Sequence, residues 1–425
     1  MTPTNEGLFD RARRVIPGGV NSPVRAFTGV GGTPYFVARA EGARVWDAEG
    51  RELIDLVQSY GAIIAGHAHP AVVDAIRRAA GDGTSYGAPT EREVLLAEAI
   101  VARVPSVEMV RLVSSGTEAT MSAVRVARGA TGRPTVVKFA GNYHGHGDLL
   151  LAEAGSGLAQ LGLPASQGVT EAAVADTRVV PYNVVPRLDE RTACVIVEPV
   201  AANMGLVAPV PGFLAGLRAE CDRVGALLVF DEVITGFRVG PGGAEVLTGV
   251  RPDLSTFGKV IGGGLNVGAY GGRADVMAHV APLGGVYQAG TLSGNPLATA
   301  AGLATLELLD EAAYERLVAG AARLGAVLGD AFAAAGLPVV VSRVASLVGF
   351  FVGDGAPTDY DSARATDVAT YGRLFHAALA RGVAFAPGAF EVAFPGLAHT
   401  DEVVDEIGRR VADAAAEVAD RTSAR

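Results

Sequence analysis

The feature that most constrains the fold is a series of short apolar runs that alternate with amphipathic stretches between about residues 60 and 300. The runs that predict strands are Met109–Val113, Thr135–Phe139, 194–197 and 227–230. Continuous apolar runs of this kind are typical of parallel strands that helices cover on both faces. The sequence therefore predicts an α/β fold with a large, mostly parallel central sheet and helices on both of its faces.

Each of these runs ends in a polar or glycine-containing segment. The segments are SSGTEA after Val113, AGNYHGH after Phe139, EPVAANMG after Val197 and DEVITG after Phe230. In open α/β sheets, ligands bind at the carboxyl ends of the strands. We therefore expect the functional site at this edge of the sheet.

The two ends of the chain predict a different architecture. The patterns are one helix and short strands over 5–57, and a strand near 346–352 with helices near 365–381 and 400–420 in the last part of the chain. We expect both ends to form a smaller α+β lobe against the central domain. The expected divisions are an amino-terminal segment over 1–58 that packs with the small lobe, a large domain over 59–310 and a small domain over 311–425.

Composition limits the partners and the compartment. The net charge is −10, and no basic run is longer than a pair of arginines, so we expect neither nucleic acid nor a membrane as partner. Cys194 and Cys221 lie in apolar stretches, which favours buried thiols in a reducing compartment. The first twenty residues contain acids and lack the apolar core of a signal peptide. A cytoplasmic protein that acts on a small molecule is therefore expected.

Lysine is unusually rare in this chain. Only two of the 35 basic residues are lysines, Lys138 and Lys259. Arginine stays protonated in proteins, whereas a lysine can lose its proton and attack a carbonyl group. Each lysine is therefore a candidate for chemistry that arginine cannot perform. The alternative is that two lysines remain in the sequence by chance.

One acid and one lysine form the strongest combination. Asp231 directly follows the apolar run 227–230, so we expect its carboxylate to be partly desolvated at the end of that strand. The charged ring nitrogen of pyridoxal phosphate would be a suitable partner, and Lys259, after another short predicted strand, could supply the amine for a Schiff base. The alternative for Asp231 is a helix cap or a salt bridge with Arg238.

Two glycine-containing helix starts could bind a phosphate. In the segment 114–119, Gly116 permits close approach of the backbone, and Thr117 adds a hydroxyl group to the free N–H groups of the helix start. The segment 290–296, GTLSGNP, offers a second start of this kind. Each is ordinary alone, but together with the acid and the lysine they predict a pyridoxal-phosphate site.

The sequence also bears on two other kinds of active site, a metal site and a serine hydrolase. The two H-x-H pairs, His67 with His69 and His144 with His146, could indicate metal binding. Because no H-E-x-x-H motif or cysteine cluster accompanies them, we expect no metal. A serine hydrolase is not expected either, since no G-x-S-x-G segment occurs at a strand-to-helix turn.

Taken together, the motifs resemble the class III aminotransferase group of fold-type I pyridoxal-phosphate enzymes, over essentially the whole chain. The segments that carry the resemblance are 66–70, 114–119, 143–146, 198–200, 231–233, 258–264 and 290–296. The block PGGVNSPVR at 17–25 is more specific and is similar to the aminomutase branch of the group. The resemblance implies pyridoxal 5'-phosphate or pyridoxamine 5'-phosphate as cofactor, no metal, and a homodimer.

The resemblance also implies a set of site residues. The catalytic residues would be Lys259, as Schiff-base lysine and proton shuttle, and Asp231, as partner of the ring nitrogen. The further cofactor contacts would be Ser115, Gly116, Thr117, Tyr143 stacked on the ring, Asn203 near the phenolic oxygen, and Thr291 reaching the phosphate site of the other subunit. The substrate contacts would be Ser22, Arg25, Tyr60, Ser156 and Glu391. The segment 155–168 resembles the family's gating loop, and Tyr60, Ala202 and Asn266 depart from residues that are common in the family.

The activity implied by the resemblance is an isomerase that converts glutamate 1-semialdehyde to 5-aminolevulinate by amino exchange within one substrate, a step of tetrapyrrole biosynthesis. Its expected partners are this small molecule and, transiently, the enzyme that supplies the unstable semialdehyde. One alternative is an ω-amino-acid or diamine aminotransferase, which would need an external amino donor. A catalytically silent cofactor-binding protein would be expected to lack the lysine or the aspartate, and this chain has both.

Overall fold

The computed structural model describes residues 3–152 and 166–423, with side chains described as far as residue 420. The strands are β1 Val37–Glu41, β2 Arg44–Asp47, β3 Glu52–Asp55, β4 Met109–Val113, β5 Thr135–Phe139, β6 Thr177–Val180, β7 Thr192–Val197, β8 Leu227–Asp231, β9 Leu254–Phe257, β10 Gly268–Gly272, β11 Val339–Val344, β12 Leu347–Val352 and β13 Val383–Ala384. The helices are α1 Asn5–Arg13, α2 Pro70–Asp82, α3 Glu91–Val101, α4 Gly116–Thr131, α5 Glu171–Val174, α6 Phe213–Val224, α7 Gly243–Thr248, α8 Ala274–Met277, α9 Pro296–Glu307, α10 Glu311–Ala334, α11 Tyr360–Ala363, α12 Val368–Ala380 and α13 Asp401–Ser423.

The central sheet has seven strands in the order β4-β10-β9-β8-β7-β5-β6. The pairs from β9 through β8, β7 and β5 to β6 are all parallel, whereas β10 pairs antiparallel with both β4 and β9. All four predicted strands are present, and the mostly parallel sheet is confirmed. The antiparallel strand β10 was not predicted.

The middle of this sheet is buried from solvent because helices cover both of its faces. Every residue of β7 and β8 is buried. On one face the sheet packs against α4 through residues such as Ala123 and Val124, and on the other against α6 through Leu217 and Cys221. Full burial of a side chain such as Leu217 contributes roughly 1.5–3 kcal/mol. This packing holds the carboxyl ends of the parallel strands in a fixed arrangement.

The two ends of the chain meet in a smaller sheet. Its order is β1-β2-β3-β13, and β13 from the last part of the chain pairs in parallel with β3 from the first. The helices α10, α12 and α13 pack on it and form a separate hydrophobic core. The divisions at residues 58 and 310 stay a prediction.

Helix α10 has a length and composition that would also suit a membrane span. Its residues Leu324, Leu328 and Phe332 are buried in the core of the small lobe, and Arg323 forms an ion pair with Asp405 of α13. These contacts make α10 a packed helix of a folded lobe.

Candidate active site

A cavity of about 660 Å³ opens at the carboxyl ends of the central strands. Its wall includes residues from all four polar segments that follow the predicted strands, together with 21–25, 59–60, Glu391 and Phe394. The expected location of the functional site therefore coincides with this cavity. Residues from both ends of the chain therefore share this wall with the segments that follow the central strands.

Asp231 is the last residue of β8 and is only 4% exposed. One carboxylate oxygen, Oδ1, accepts hydrogen bonds from Thr256 Oγ1 at 3.1 Å and from the backbone N–H of Val233 at 3.1 Å. The other, Oδ2, lies 2.6 Å from Nδ1 of His144. Because a carboxylate oxygen can accept two hydrogen bonds, Oδ2 keeps capacity for one further donor.

His144 determines what that further donor can be. It is fully buried, and burial lowers the pKa of its imidazole below the usual value despite the opposing effect of Asp231. In the neutral ring, Nδ1 donates to the acceptor-only carboxylate. The negative charge of Asp231 is therefore left for a cationic partner. The sequence analysis considered His144 only as part of an H-x-H pair, and its position five residues after the end of β5 was the available signal.

The alternative salt bridge between Asp231 and Arg238 is not formed. The guanidinium of Arg238 is fully buried and donates to two backbone carbonyls, those of Gly61 at 2.9 Å and Pro395 at 3.2 Å. It also lies over the ring of Phe394, 5.5 Å from the centroid. Arg238 therefore holds the segments that contain Gly61 and Pro395, and it forms no ion pair with Asp231.

Lys259 follows β9 and lines the same cavity as Asp231. Its backbone has a φ of 48°, a left-handed conformation that side chains other than glycine rarely adopt and that is often found at functional sites. Burial lowers the pKa of its ammonium group below the usual value, and this outweighs the nearby carboxylates, of which Glu391 has the largest effect. A larger fraction of free amine is the chemical consequence.

The start of α4 forms an anion cradle. The hydroxyl of Ser115 caps the helix by accepting the N–H of Glu118 at 3.1 Å. The N–H groups of Gly116 and Thr117 have no intrahelical partners, because they belong to the first turn. Thr117 Oγ1 accepts the N–H of His146 at 3.2 Å, so its own hydrogen remains available to an anion. A Cβ atom at Gly145, whose φ is +81°, would lie 2.4 Å from Thr117 Oγ1 and would crowd this cradle.

These features fit the phosphate and the ring nitrogen of pyridoxal phosphate. The cradle supplies several N–H donors and a hydroxyl at a helix start, as a phosphate dianion requires. Asp231, which has spare acceptor capacity, lines the same cavity, as does the amine-bearing residue Lys259. The donor set of the site therefore matches the group that the sequence predicted.

The expected substrate residues also lie on the cavity wall. They are Ser22, Arg25, Tyr60 and Glu391. Tyr60 has a φ of 56° within a run of three such residues, 58–60. This run is held by Asp55, whose carboxylate accepts the N–H groups of Val57 and Gln58 and pairs with His67 Nε2 at 2.7 Å. Burial raises the pKa of the Tyr60 hydroxyl, so it remains a neutral hydrogen-bonding group.

Three expected site residues are not among the residues described on the cavity wall. Ser115 caps α4 and is absent from the described cavity wall, Thr291 is exposed and also lies off the wall of its own chain, and Ser156 lies outside the described residues. Most of the segment 155–168 is likewise outside them, although Ser166 lines the cavity. Asn203 and Tyr143 both lie on the wall, as expected.

The second lysine has a different environment. Lys138 is fully buried in β5, and its Nζ donates to the carbonyls of Leu150 at 3.0 Å and Ala152 at 2.6 Å. Lys138 therefore holds the segment that contains Leu150 and Ala152 against β5. Of the two lysines, Lys259 is the one on the described cavity wall. Among the described residues, no group of three metal-binding side chains was found.

Sequence comparison identifies relatives over nearly the full chain. A sequence model described as "Aminotransferase class-III" matches residues 27–414. Glutamate-1-semialdehyde 2,1-aminomutase of Bordetella avium is 55% identical over 405 residues, covering 93% of this chain and 95% of that protein. The enzyme of the same name from Syntrophobacter fumaroxidans is 56% identical over 407 residues, covering 94% of each chain.

Solved structures show the same architecture. An omega-transaminase from Sphaerobacter thermophilus aligns with a TM-score of 0.90 and 35% identity, covering 98% of each chain. A glutamate-1-semialdehyde aminomutase from Pseudomonas aeruginosa aligns with a TM-score of 0.86 and 29% identity, covering 97% of this chain and 94% of that one. A lysine-to-alanine variant of the latter, in complex with PMP, aligns equally well.

Proposed function

The chain belongs to the class-III aminotransferase family, and from that premise we propose that it converts glutamate 1-semialdehyde to 5-aminolevulinate, the reaction of a glutamate-1-semialdehyde 2,1-aminomutase. It is a fold-type I enzyme that uses pyridoxal or pyridoxamine phosphate. The observation that carries the proposal is the cavity itself. Ser22 and Arg25, from the block typical of aminomutases, line the same cavity as Asp231 and Lys259.

The cofactor residues are assigned from their positions. Gly116 and Thr117 would hold the phosphate, Asp231 the ring nitrogen, Tyr143 the ring face, Asn203 the phenolic oxygen and Lys259 the reactive end. When bound, the cofactor supplies an exchangeable amine and a ring that stores an electron pair.

Proton transfer is assigned to Lys259. Its Nζ would take a proton from one carbon and return it to another, which requires a base with a pKa nearer to neutral than that of an exposed lysine. Burial shifts the pKa of Lys259 in that direction. The negative charge of Asp231 would keep the ring nitrogen protonated. Hydrogen bonds from Thr256 and His144 fix the orientation of this carboxylate.

Substrate capture is assigned to Arg25 and Ser22. Arg25 is exposed and lines the cavity, and a guanidinium can bind a carboxylate with two parallel hydrogen bonds. Glu391 and Tyr60 would complete the pocket at the other end of the substrate.

Arg25→Ala is expected to raise the KM for glutamate 1-semialdehyde about 10- to 100-fold, because a hydrogen bond to a charged group contributes about 1.5–3 kcal/mol. The value of kcat should fall much less, since Arg25 holds a part of the substrate that does not react. Steady-state kinetics with Arg14→Ala, an exposed arginine outside the cavity, as control separate the two effects. An unchanged KM would remove Arg25 from the carboxylate site.

The decisive test of the function needs no amino donor. Purified enzyme in its pyridoxamine form, incubated with glutamate 1-semialdehyde alone, is expected to form 5-aminolevulinate over many turnovers. The likeness to an omega-transaminase keeps an ω-amino-acid or diamine aminotransferase as second candidate. That enzyme would stop after one turnover and would resume only when an external amino donor is added.

We also propose that the enzyme is a cytoplasmic homodimer in which Thr291 completes the phosphate site of the other subunit. Thr291 is exposed, and large apolar side chains close to it in sequence, Leu283, Tyr287 and Leu292, are exposed as well. Apolar groups exposed together are typical of an interface. Transient contact with the enzyme that delivers the unstable semialdehyde belongs to the same proposal.

A further inference from the structure

Glu198 is a buried carboxyl group on the cavity wall that none of the roles above uses. It follows β7, lines the cavity, and is only 4% exposed. A buried carboxyl is costly unless hydrogen bonds compensate it, so its partners indicate why it is placed there.

The partners of Glu198 come from two different strand ends. Its Oε1 accepts the backbone N–H of Tyr143, which follows β5, at 2.7 Å. Its Oε2 accepts the backbone N–H of Ala202, which follows β7, at 2.8 Å, and the side chain of Asn203 also donates a hydrogen bond to the carboxyl group. One carboxyl group therefore joins the segment that carries Tyr143 to the segment that carries Asn203.

The charge of Glu198 is coupled to the reactive groups. Burial raises its pKa to about 8, and Asp231 adds to the rise, whereas the N–H donors oppose it. Its negative form in turn raises the pKa of Lys259. Two tyrosines are also titratable neighbours: Tyr143, and Tyr182, whose hydroxyl donates to the backbone carbonyl of Glu198 at 3.1 Å; burial raises the pKa of both.

We propose that Glu198 is a positioning residue for the cofactor: by joining the segments that follow β5 and β7, it sets the separation of Tyr143 from Asn203 on the cavity wall that Lys259 also lines. The proposal rests on the assigned pyridoxal-phosphate site but not on the identity of the substrate. A residue that served only to stabilise the fold would not alter the cofactor's affinity and spectrum together.

The test is Glu198→Gln, measured by binding of pyridoxal phosphate to the cofactor-free protein. An amide has one acceptor oxygen, so its NH₂ group must face either Tyr143 N–H or Ala202 N–H, and one wall segment loses its tie. We expect the dissociation constant to rise about 10-fold or more. We also expect the pH midpoint of the bound cofactor's absorbance change to move to lower pH by roughly half a unit, because a negative charge that favours the cationic form at Lys259 is gone.

Glu232→Gln is the matched control. Glu232 is equally buried, accepts the N–H groups of Ala244 and Glu245 at the start of α7, and has its pKa raised to about 7 by burial. It is not among the described residues of the cavity wall. We expect Glu232→Gln to lower the melting temperature. Its dissociation constant should stay within roughly twofold of the parent value, and its absorbance midpoint within roughly 0.2 pH unit.

The outcomes are distinct. If Glu198→Gln binds pyridoxal phosphate within twofold of the parent and titrates alike, or if Glu232→Gln weakens binding equally, the proposal is overturned. If Glu198→Gln does not fold, Glu198→Asp takes its place, because it keeps the charge but is too short to reach both segments. We expect Glu198→Asp to weaken binding of pyridoxal phosphate without moving the pH midpoint of the absorbance change. Unchanged binding would again overturn the proposal. A parent protein that binds the cofactor yet forms no 5-aminolevulinate would instead refute the proposed function.

Discussion

Lys259→Ala should reduce turnover of glutamate 1-semialdehyde at least about 10³-fold while the cofactor still binds. General acid–base catalysis contributes typically 10²–10⁴-fold, and no other amine lies on the described cavity wall to replace this one. The phosphate cradle at Gly116 and Thr117 and the carboxylate of Asp231 are untouched by the change, so most of the cofactor's contacts remain.

The measurement combines kinetics with covalent trapping. With both proteins in the pyridoxal form, borohydride reduction of the parent should attach the pyridoxyl group to the peptide that contains Lys259, and reduction of Lys259→Ala should leave the cofactor removable. Small primary amines added to the variant should restore part of the activity, because they return a base to the vacated space. Lys259→Arg should stay inactive, since a guanidinium remains protonated.

Lys138→Ala is the matched control for loss of a buried lysine. Because Lys138 donates to the carbonyls of Leu150 and Ala152, its removal should lower the melting temperature. The trapped label should still appear at Lys259. Substantial turnover by Lys259→Ala without added amine, or a label on Lys138 in the parent, would contradict the assignment.

The fold was predictable where the side-chain pattern was strong. The runs that became most of β7 and β8 are continuously apolar, and both strands are buried at every residue. Strand β10 was missed because its sequence is GAYGG, which has almost no apolar pattern. Its glycines are required by neighbouring backbone, since a Cβ atom at Gly268 would lie 2.2 Å from the carbonyl oxygen of Ser115.

The site was predictable where function demands an unusual residue, as the rare Lys259 and the strand-terminal Asp231 show. The partners of those residues were not. His144 and Asp231 are separated by 87 positions, and only the parallel pairing of β5, β7 and β8 brings them together. The salt bridge weighed between Asp231 and Arg238 was wrong because the loop after β8 turns Arg238 toward the carbonyls of Gly61 and Pro395, a direction that local sequence does not specify.

The second large effect is expected from Asp231→Asn, which preserves the shape of the side chain and removes its charge. The amide oxygen can still accept from Thr256 and Val233, and His144 can accept from the amide if its proton moves to Nε2, so the local geometry should persist. What is lost is the anion that holds a proton on the cofactor's ring nitrogen. Removing one electrostatic group of this kind costs about 10²–10³ in kcat, and we expect a loss of at least about 100-fold.

Kinetics and the nitrogen-15 chemical shift of labelled cofactor can test this expectation together. The shift should report a protonated ring nitrogen in the parent and a neutral one in Asp231→Asn. Asp253→Asn is the matched control, because Asp253 is also buried and charged but pairs with Arg218 and Arg273 away from the cavity. That variant should lose stability and keep the protonated signal. A protonated ring nitrogen in Asp231→Asn, or kcat within tenfold of the parent, would show that another group holds the proton.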